Sequence, residues 1–173
     1  MAGRRPTGPG ARAVRNVGSL REIFRSEGAR HDHRLLPHHR RRASARFVWQ
    51  DPHATAFLSI APLTPGHTLV VPRREVDQWT QVDGELLSHC MQVAQAVGQG
   101  VQRAWDAPRA GLLIAGFEVP HLHIHVAPMW GLGDLDFAHA KPEEDMSALD
   151  EAADKLRTAL SELGFEHAVP PGA

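Results

Sequence analysis

Three histidines, His121, His123 and His125, alternate with apolar residues in one short stretch of the chain. Successive side chains of a β-strand point to opposite faces, so a strand over residues 119–128 would place the imidazoles on one face and an apolar row on the other. The chain has only 12 histidines, several of them elsewhere, so chance is a poor explanation of this spacing. We therefore predict a strand with one chemical face and one core face.

Two kinds of chemistry fit such a face. Either the imidazoles bind a metal such as zinc, or one of them is a nucleophile attended by the others. Zinc needs its ligand nitrogens about 2.0–2.1 Å from one point, whereas every second residue of a flat strand spreads three side chains over about 13 Å. A neutral imidazole, with an ordinary pKa of about 6.5, is available as a nucleophile at neutral pH. The spacing favours the nucleophile, and His67, at the start of another predicted strand, leaves the metal alternative open.

Length and composition limit the setting in which this chemistry works. A chain of 173 residues suffices for a single domain with a hydrophobic core. Its one cysteine, Cys90, excludes an internal disulfide framework and favours a reducing compartment. No apolar run approaches the roughly 18 residues of a membrane span, and the N-terminus lacks the apolar segment of a signal peptide. We expect a cytoplasmic protein without a membrane partner.

Charge divides the chain into two parts. Residues 1–45 contain eleven Arg and three acidic residues, a balance of +8, whereas residues 46–173 contain eight basic and seventeen acidic residues, a balance of −9. The first part has little apolar periodicity, and we predict a disordered basic segment. Arg-rich segments bind nucleic acid through phosphates, but no interleaved aromatics are present to stack bases, so we expect no specific nucleic-acid partner.

A second explanation of residues 1–45 is an out-of-frame translation. Reading the codons of residues 31–45 one nucleotide later permits a peptide that starts with Met, contains an apolar patch and ends in a turn. The codons it needs are mostly GC-rich, consistent with 17 Arg against two Lys in the printed chain. Sequencing the gene tests this hypothesis.

The pattern becomes regular from Arg46. Alternating and β-branched runs predict strands over residues 46–50, 54–60, 67–72 and 110–117, the last of them well buried, before the histidine strand. Asp83 is a suitable N-cap for a long amphipathic helix that ends near Trp105, and its glycines indicate close packing against a neighbour. A glycine-rich loop over residues 130–136 is placed to form a rim over the site. A capping box at Ser147–Asp150 predicts a last helix, followed by a loose tail.

Two motifs in this order are specific to one known family. Pro65-Gly66-His67 opens an apolar strand, and residues 121–127 follow the pattern His-φ-His-φ-His-φ-φ, where φ is apolar. Over roughly residues 46–136 the chain closely resembles the histidine-triad (HIT) family of nucleotide hydrolases and transferases. The out-of-frame peptide also resembles the usual opening of that family.

The resemblance implies an α+β fold, with a five-stranded antiparallel sheet, one long helix across it, a C-terminal helix and a two-fold dimer. It divides the chain into the basic segment 1–45, a HIT domain at 46–138, and a linker with the C-terminal helix at 139–173. Mapped onto this sequence, His123 is the nucleophile that forms a phospho-histidine intermediate. His121, His125 and His67 orient it and contact the phosphate. The family cleaves at the α-phosphate of adenylated or dinucleoside substrates, so the expected partner is a purine nucleotide or nucleotide conjugate, with no cofactor and no metal.

The substrate-binding positions depart from the family pattern. Ser59 stands where many members carry an Asp that binds the ribose, and the loop before the triad, with Gly116, Phe117 and Val119, is several residues short. Met129-Trp130 replaces an expected Arg. We assign Ser59, Gly116, Phe117 and Val119 to substrate binding. The departures leave an alternative, a nucleotide- or metal-binding module without useful catalysis.

Overall fold

The computed structural model describes residues 45–117, 119–140 and 145–171, apart from the side chain of His139. The predictions for residues 1–44, both the disordered basic segment and the out-of-frame translation, lie outside the described residues. All strands, helices and contacts given below belong to these described ranges.

Five strands form one antiparallel sheet. They are β1 (Phe47–Gln50), β2 (Ala54–Leu58), β3 (Thr68–Pro72), β4 (Arg109–Leu113) and β5 (Ile124–Met129). Their spatial order is β1-β2-β3-β5-β4, with every neighbouring pair antiparallel. The predicted hairpin of β1 and β2 and the antiparallel pairing of β4 with β5 are both confirmed, since short connections lead naturally to antiparallel neighbours. The fold is the predicted α+β class.

Two helices pack on one face of this sheet. Helix α1 (Gly84–Trp105) begins at the predicted N-cap, where the Asp83 side chain accepts from Leu86 N. Helix α2 (Met146–Glu162) contacts α1 and β1. A Cβ on Gly100 would lie 2.8 Å from Leu156 Cδ1, so this glycine permits the close approach of the two helices. The neighbour that the glycines of α1 were predicted to pack against is therefore α2. Alternate residues of β5 and of the segment before it complete the core: Leu122, Ile124 and Val126 are at most 1% exposed.

The histidine stretch is only partly a strand. Regular pairing begins at Ile124, so His125 lies in β5 while His121 and His123 precede it. The prediction of one continuous strand over residues 119–128 is therefore wrong at its N-terminal half. There the chain bends, with His121 N donating to Val119 O and Leu122 N donating to Val76 O. The alternation survives the bend, because Leu122 still enters the core while the histidines do not.

Strand β4 is shorter and less buried than predicted. It ends at Leu113 rather than Phe117, and Leu112 is 42% exposed. The reason is its place at the sheet edge, where it pairs only with β5 among the described strands. An apolar composition does not distinguish a central strand from an edge strand.

The C-terminal region differs from prediction in its cap and its tail. Asp145, and not Ser147, is the N-cap of α2, and its carboxylate accepts from Ser147 N and Ser147 Oγ. The tail is not loose up to Val169: Gln50 N donates to Ala168 O at 2.8 Å, and Ala168 is buried in the core. The tail therefore covers the β1 end of the sheet.

Among the helices of the described ranges, none combines the length and hydropathy that crossing a lipid bilayer requires.

Candidate active site

The ring of His123 is oriented by the backbone of the triad itself. His123 Nδ1 lies 2.7 Å from the carbonyl oxygen of His121. Because a carbonyl oxygen only accepts, Nδ1 carries the proton and donates it. In the neutral imidazole the other nitrogen, Nε2, then has its lone pair available. The bend that takes His121 out of the strand places its carbonyl where it fixes this tautomer.

A second chain of hydrogen bonds fixes His125. Leu63 N donates to His67 Nδ1 at 3.2 Å, which leaves the proton of a neutral His67 on Nε2. His67 Nε2 lies 3.0 Å from His125 Nδ1 and donates to it. The proton of a neutral His125 must therefore be on Nε2. The outcome is opposite to that for His123: one ring offers a lone pair at Nε2 and the other offers a donor.

Burial keeps these two supporting imidazoles neutral. Loss of hydration lowers the pKa of His67 to about 4. Loss of hydration, followed by repulsion from His67 and His123, lowers the pKa of His125 to about 3. Near neutral pH both rings are uncharged, so the tautomers deduced from the hydrogen bonds are the ones present.

His121 is held against the neighbouring strand. Its Nε2 donates to the carbonyl oxygen of Pro72 at 2.9 Å, at the end of β3. Burial lowers the pKa of His121, while that hydrogen bond and the negative charge of Glu75 act in the opposite direction. Glu75 was not singled out from the sequence, because its influence depends on the chain folding back beside the triad.

The turn that carries His67 rests on an aromatic ring. Gly66 has φ of +91°, in the left-handed region that favours glycine, and a Cβ there would lie 2.5 Å from Trp105 Cζ3. The Trp105 ring, at the end of α1, therefore lies directly on the backbone of Gly66. Lys155 Nζ of α2 lies 5.2 Å from the centre of the same ring. Both helices thus help to position His67.

The loop after β5 folds back to His125 through Phe137, one residue beyond the rim predicted over residues 130–136. It contains two short 3-10 turns, Leu132–Leu135 and Phe137–His139. The ring of Phe137 makes an edge-to-face contact with His125, with centroids 4.9 Å apart and planes at 84°. Phe137 was missed in the sequence, where only the glycines just before it signalled the loop.

Of the predicted substrate-binding residues, Ser59 lies beside the histidines. The rings of His67 and His123 lie 5.2 and 5.0 Å from that of His125, centre to centre, so these three imidazoles form one cluster. The ring of His121 instead donates to Pro72 O. Ser59 lies beside the cluster, since Ser59 N donates to His67 O at 2.9 Å. Its hydroxyl accepts from Ala61 N at 3.2 Å.

The remaining three predicted substrate residues lie on the loop before the triad. Gly116 has φ of +76° with open space around it, and Phe117 is 96% exposed. Val119 is buried, and its carbonyl accepts from His121 N. These contacts place Val119 in the support of the triad and leave Phe117 in solvent.

Within residues 45–117, 119–140 and 145–171, no three His, Cys, Asp or Glu side chains are grouped so that they would hold a metal ion. Hydrogen bonds join His67 to His125 and join ring nitrogens of His67, His121 and His123 to backbone atoms.

Known proteins share this fold and motif. The crystal structure of a Zn-bound histidine triad family protein from Mycobacterium smegmatis is similar, with a TM-score of 0.60, 26% identity, and coverage of 71% of this chain and 88% of that one. The crystal structure of a Hit-like protein involved in cell-cycle regulation from Bartonella henselae is also similar, with a TM-score of 0.60 and 26% identity. The match covers 81% of this chain and 94% of that one.

A curated relative carries an enzymatic name. The bifunctional bis(5'-adenosyl)-triphosphatase/adenylylsulfatase FHIT of Arabidopsis thaliana is 36% identical over 114 residues, which are 63% of this chain and 61% of the relative. The chain spans 61% to 63% of the length of this and the next two curated relatives. The family model of the HIT domain matches residues 40–130, more than half of the chain. This chain therefore belongs to the HIT domain family.

Proposed function

We propose that the protein is a nucleotide hydrolase or phosphoramidase that cleaves at the α-phosphate of an adenylated or dinucleoside substrate through a phospho-histidine at His123. The observation that carries the proposal is the hydrogen bond from His123 Nδ1 to His121 O. It leaves the Nε2 lone pair for attack without a separate general base, since a neutral imidazole has no proton to lose from that atom.

The reaction proceeds in two displacements. His123 Nε2 attacks the α-phosphorus, the P–N bond to the enzyme forms, and the bond from phosphorus to the leaving group breaks. The leaving group departs with the electron pair of that bond and takes a proton from solvent, and the water of the second displacement later returns a proton to solvent. Water then attacks the same phosphorus, the P–N bond breaks, and the nucleoside monophosphate leaves while the neutral imidazole is restored.

In this mechanism His125 stabilises the negative charge that develops on the phosphoryl oxygens. Its Nε2–H is a donor because Nδ1 accepts from His67, and a donor already oriented stabilises phosphoryl oxygens without reorganisation. A neutral His125 also adds no positive charge beside the phospho-imidazolium that forms on His123. The roles of His67 and His121 are to orient His125 and His123.

The expected substrate class follows from the same site and from the relative. The Arabidopsis protein is named for bis(5'-adenosyl) triphosphate and adenylyl sulfate, which both place a leaving group on the α-phosphate of adenosine monophosphate. We propose a purine nucleotide conjugate for this chain, with Ser59 and Phe117 beside the ribose and base. The Ser59 hydroxyl accepts from Ala61 N, and it retains its proton for donation to a substrate oxygen.

The test is turnover of adenosine 5'-phosphoramidate and bis(5'-adenosyl) triphosphate by the whole chain. His123→Ala removes the nucleophile and should reduce turnover by at least about a thousandfold while the circular dichroism spectrum shows that the fold is retained. His53→Ala, at an exposed histidine outside the cluster, is the matched control and should retain activity. Equal turnover in wild type and His123→Ala would refute the proposal.

A binding module without catalysis is the second candidate. Ser59 in place of a carboxylate favours it, because an uncharged hydroxyl accepts hydrogen bonds from ribose more weakly. Calorimetry would then detect adenosine monophosphate binding in a protein that releases no product from either substrate.

We also propose that a second copy of the chain pairs through α1 and β4. The shallow groove between them is lined only by uncharged residues: Met91, Ala94, Gln95, Gly98, Gln99, Gln102, Ala110, Gly111, Leu112 and Val126. Met91 and Leu112 are 39% and 42% exposed there. Exposed apolar side chains beside a sheet edge, with no charge among them, are typical of a subunit interface. A two-fold axis at this edge would cover both side chains.

A further inference from the structure

We propose that Phe137 is a substrate-binding residue whose exposed ring surface stacks on a planar aromatic part of the substrate, either the nucleobase or an aromatic leaving group. The inference rests on the function proposed above and assigns a substrate contact that neither motif contains. The contact that carries it is the edge-to-face packing of Phe137 on His125, 4.9 Å between ring centres.

The loop holds this ring in place on both sides. The carboxylate of Asp134 accepts from Trp130 N and Gly131 N at 2.7 and 2.9 Å, which closes the turn at the end of β5. Asp136 Oδ1 accepts from Ala138 N at 2.9 Å, and Ala140 N donates to Phe137 O at 3.1 Å. A ring flanked by these hydrogen bonds is pre-organised, so little entropy is lost when a ligand packs on it.

The same loop is also anchored to the sheet edge. A Cβ on Gly111 would lie 3.1 Å from both methyl carbons of Leu135, so Leu135 packs directly on the backbone of β4. This anchor lies two residues before Phe137. The position of the ring over His125 is therefore set from the sheet as well as from within the loop.

One part of the Phe137 side chain contacts the protein, and the other part is exposed to solvent. Phe137 contacts His125 and yet remains 42% exposed, whereas His125 is only 9% exposed. An apolar ring that packs on a supporting imidazole of the site and keeps an open surface presents a stacking surface next to the phosphoryl site. Aromatic rings stack on nucleobases without sequence preference, because every base has a π-face.

The nucleobase and an aromatic leaving group could each stack on Phe137. Three ligands that carry both groups or only one of them distinguish the two possibilities. The first is adenosine 5'-phosphoranilidate, with a nucleobase and an aromatic leaving group. The second is adenosine 5'-(N-methyl)phosphoramidate, with only the nucleobase. The third is ribose 5-phosphoranilidate, with only the aromatic leaving group. Binding is measured by calorimetry in the His123→Ala background, where no ligand is consumed, and turnover is measured with His123 intact.

Two variants of Phe137 test whether its aromatic ring stacks on the ligand or whether the side chain serves only as an apolar cover for His125. Phe137→Leu keeps an apolar cover but removes the aromatic face, and Phe137→Trp restores it. We expect Phe137→Leu to weaken binding about five- to tenfold for the ligands that carry the stacked group and by less than about twofold for the ligand that lacks it. Phe137→Trp should bind within about twofold of wild type. Leu132→Ala, at a 92% exposed position of the same loop, is the control and should change nothing.

The outcomes also separate this inference from the proposed function. If Phe137→Leu weakens all three ligands equally, or none, the stacking role is overturned even when the wild type turns its substrates over. If selective weakening is observed in a protein without turnover, the stacking role stands and the proposed catalysis fails.

Discussion

His123 Nδ1 lies 2.7 Å from the carbonyl oxygen of His121, two residues earlier in the same motif. In the proposed mechanism, this hydrogen bond leaves Nε2 of His123 as the attacking nitrogen. Among the described residues a backbone carbonyl, and not a carboxylate, orients the ring. A parallel relationship between His67 and His125 assigns the donor. The site thus contains two imidazoles in opposite tautomers, each selected by a neighbour that contributes no charge.

Removal of His67 should affect activity through His125. In His67→Ala, His125 loses its hydrogen-bond donor, and we expect kcat to fall about ten- to a hundredfold. The buried acceptor left behind should also reduce the free energy of unfolding by about 1–3 kcal/mol. Steady-state kinetics and urea unfolding measure both effects. His67→Gln, whose amide can donate, should recover part of kcat; if His67→Ala is as active as wild type, the positioning role is wrong.

Stability should decrease as the pH falls below about 6.5. The pKa of His67 is lowered to about 4 and that of His125 to about 3. The unfolded chain, with an ordinary histidine pKa of about 6.5, therefore binds more protons than the folded chain between these values. The contribution of these two histidines to the free energy of unfolding is fully present above pH 6.5 and is lost progressively towards pH 4 and below. The loss at pH 5 is about 2 kcal/mol per histidine.

Urea unfolding at pH 7.5 and pH 5 measures this loss. His67→Gln should show a smaller difference between the two pH values, because one titrating group is gone. An equal free energy of unfolding at both pH values in wild type would contradict the assignment of neutral buried imidazoles.

Two glycines with positive φ offer a matched pair of substitutions. Gly66→Ala should destabilise the protein by about 2–4 kcal/mol and impair activity, because the new Cβ meets Trp105 at 2.5 Å in addition to the backbone strain. Gly116→Ala has φ of +76° and open space, so only strain of about 1 kcal/mol is expected. Thermal unfolding compares them. If both variants unfold at the same temperature, Trp105 does not support the His67 turn.

A charge at the sheet edge should dissociate the proposed dimer. Leu112→Glu places a carboxylate in the uncharged groove between α1 and β4, where pairing would bury it. Light scattering coupled to size-exclusion chromatography should report a dimer for wild type and a monomer for Leu112→Glu. Leu132→Glu, at another exposed leucine, should remain dimeric. A monomeric wild type at micromolar concentration would contradict the interface.

Much of the fold was predictable because burial follows periodicity. Alternation at Leu122, Ile124 and Val126 indicated the core face of β5 and of the segment before it, and the helical spacing after Asp83 indicated α1. Leu112 was assigned to a buried strand because composition does not reveal whether a strand lies at the edge. The cap of α2 was misplaced by two residues, since Asp145 and Ser147 are both good N-caps and only the hydrogen bonds distinguish them.

The site was predictable in its residue types but not in its internal arrangement. The motifs named His67, His121, His123 and His125, yet the tautomers depend on distances to the Leu63 N–H and the His121 carbonyl. Phe137 reaches His125 only because the chain reverses after β5. Spacing along a sequence does not encode such a reversal.

Trapping the covalent intermediate tests the central claim most directly. Wild-type protein is mixed with adenosine 5'-phosphoramidate, quenched at alkaline pH within milliseconds to seconds, and digested for mass spectrometry. We predict an adenosine monophosphate adduct bonded to Nε2 of His123. The adduct should be absent in His123→Ala and should disappear on longer incubation as product forms. Turnover without any adduct on His123, or an adduct on His121 or His125 instead, would contradict the account.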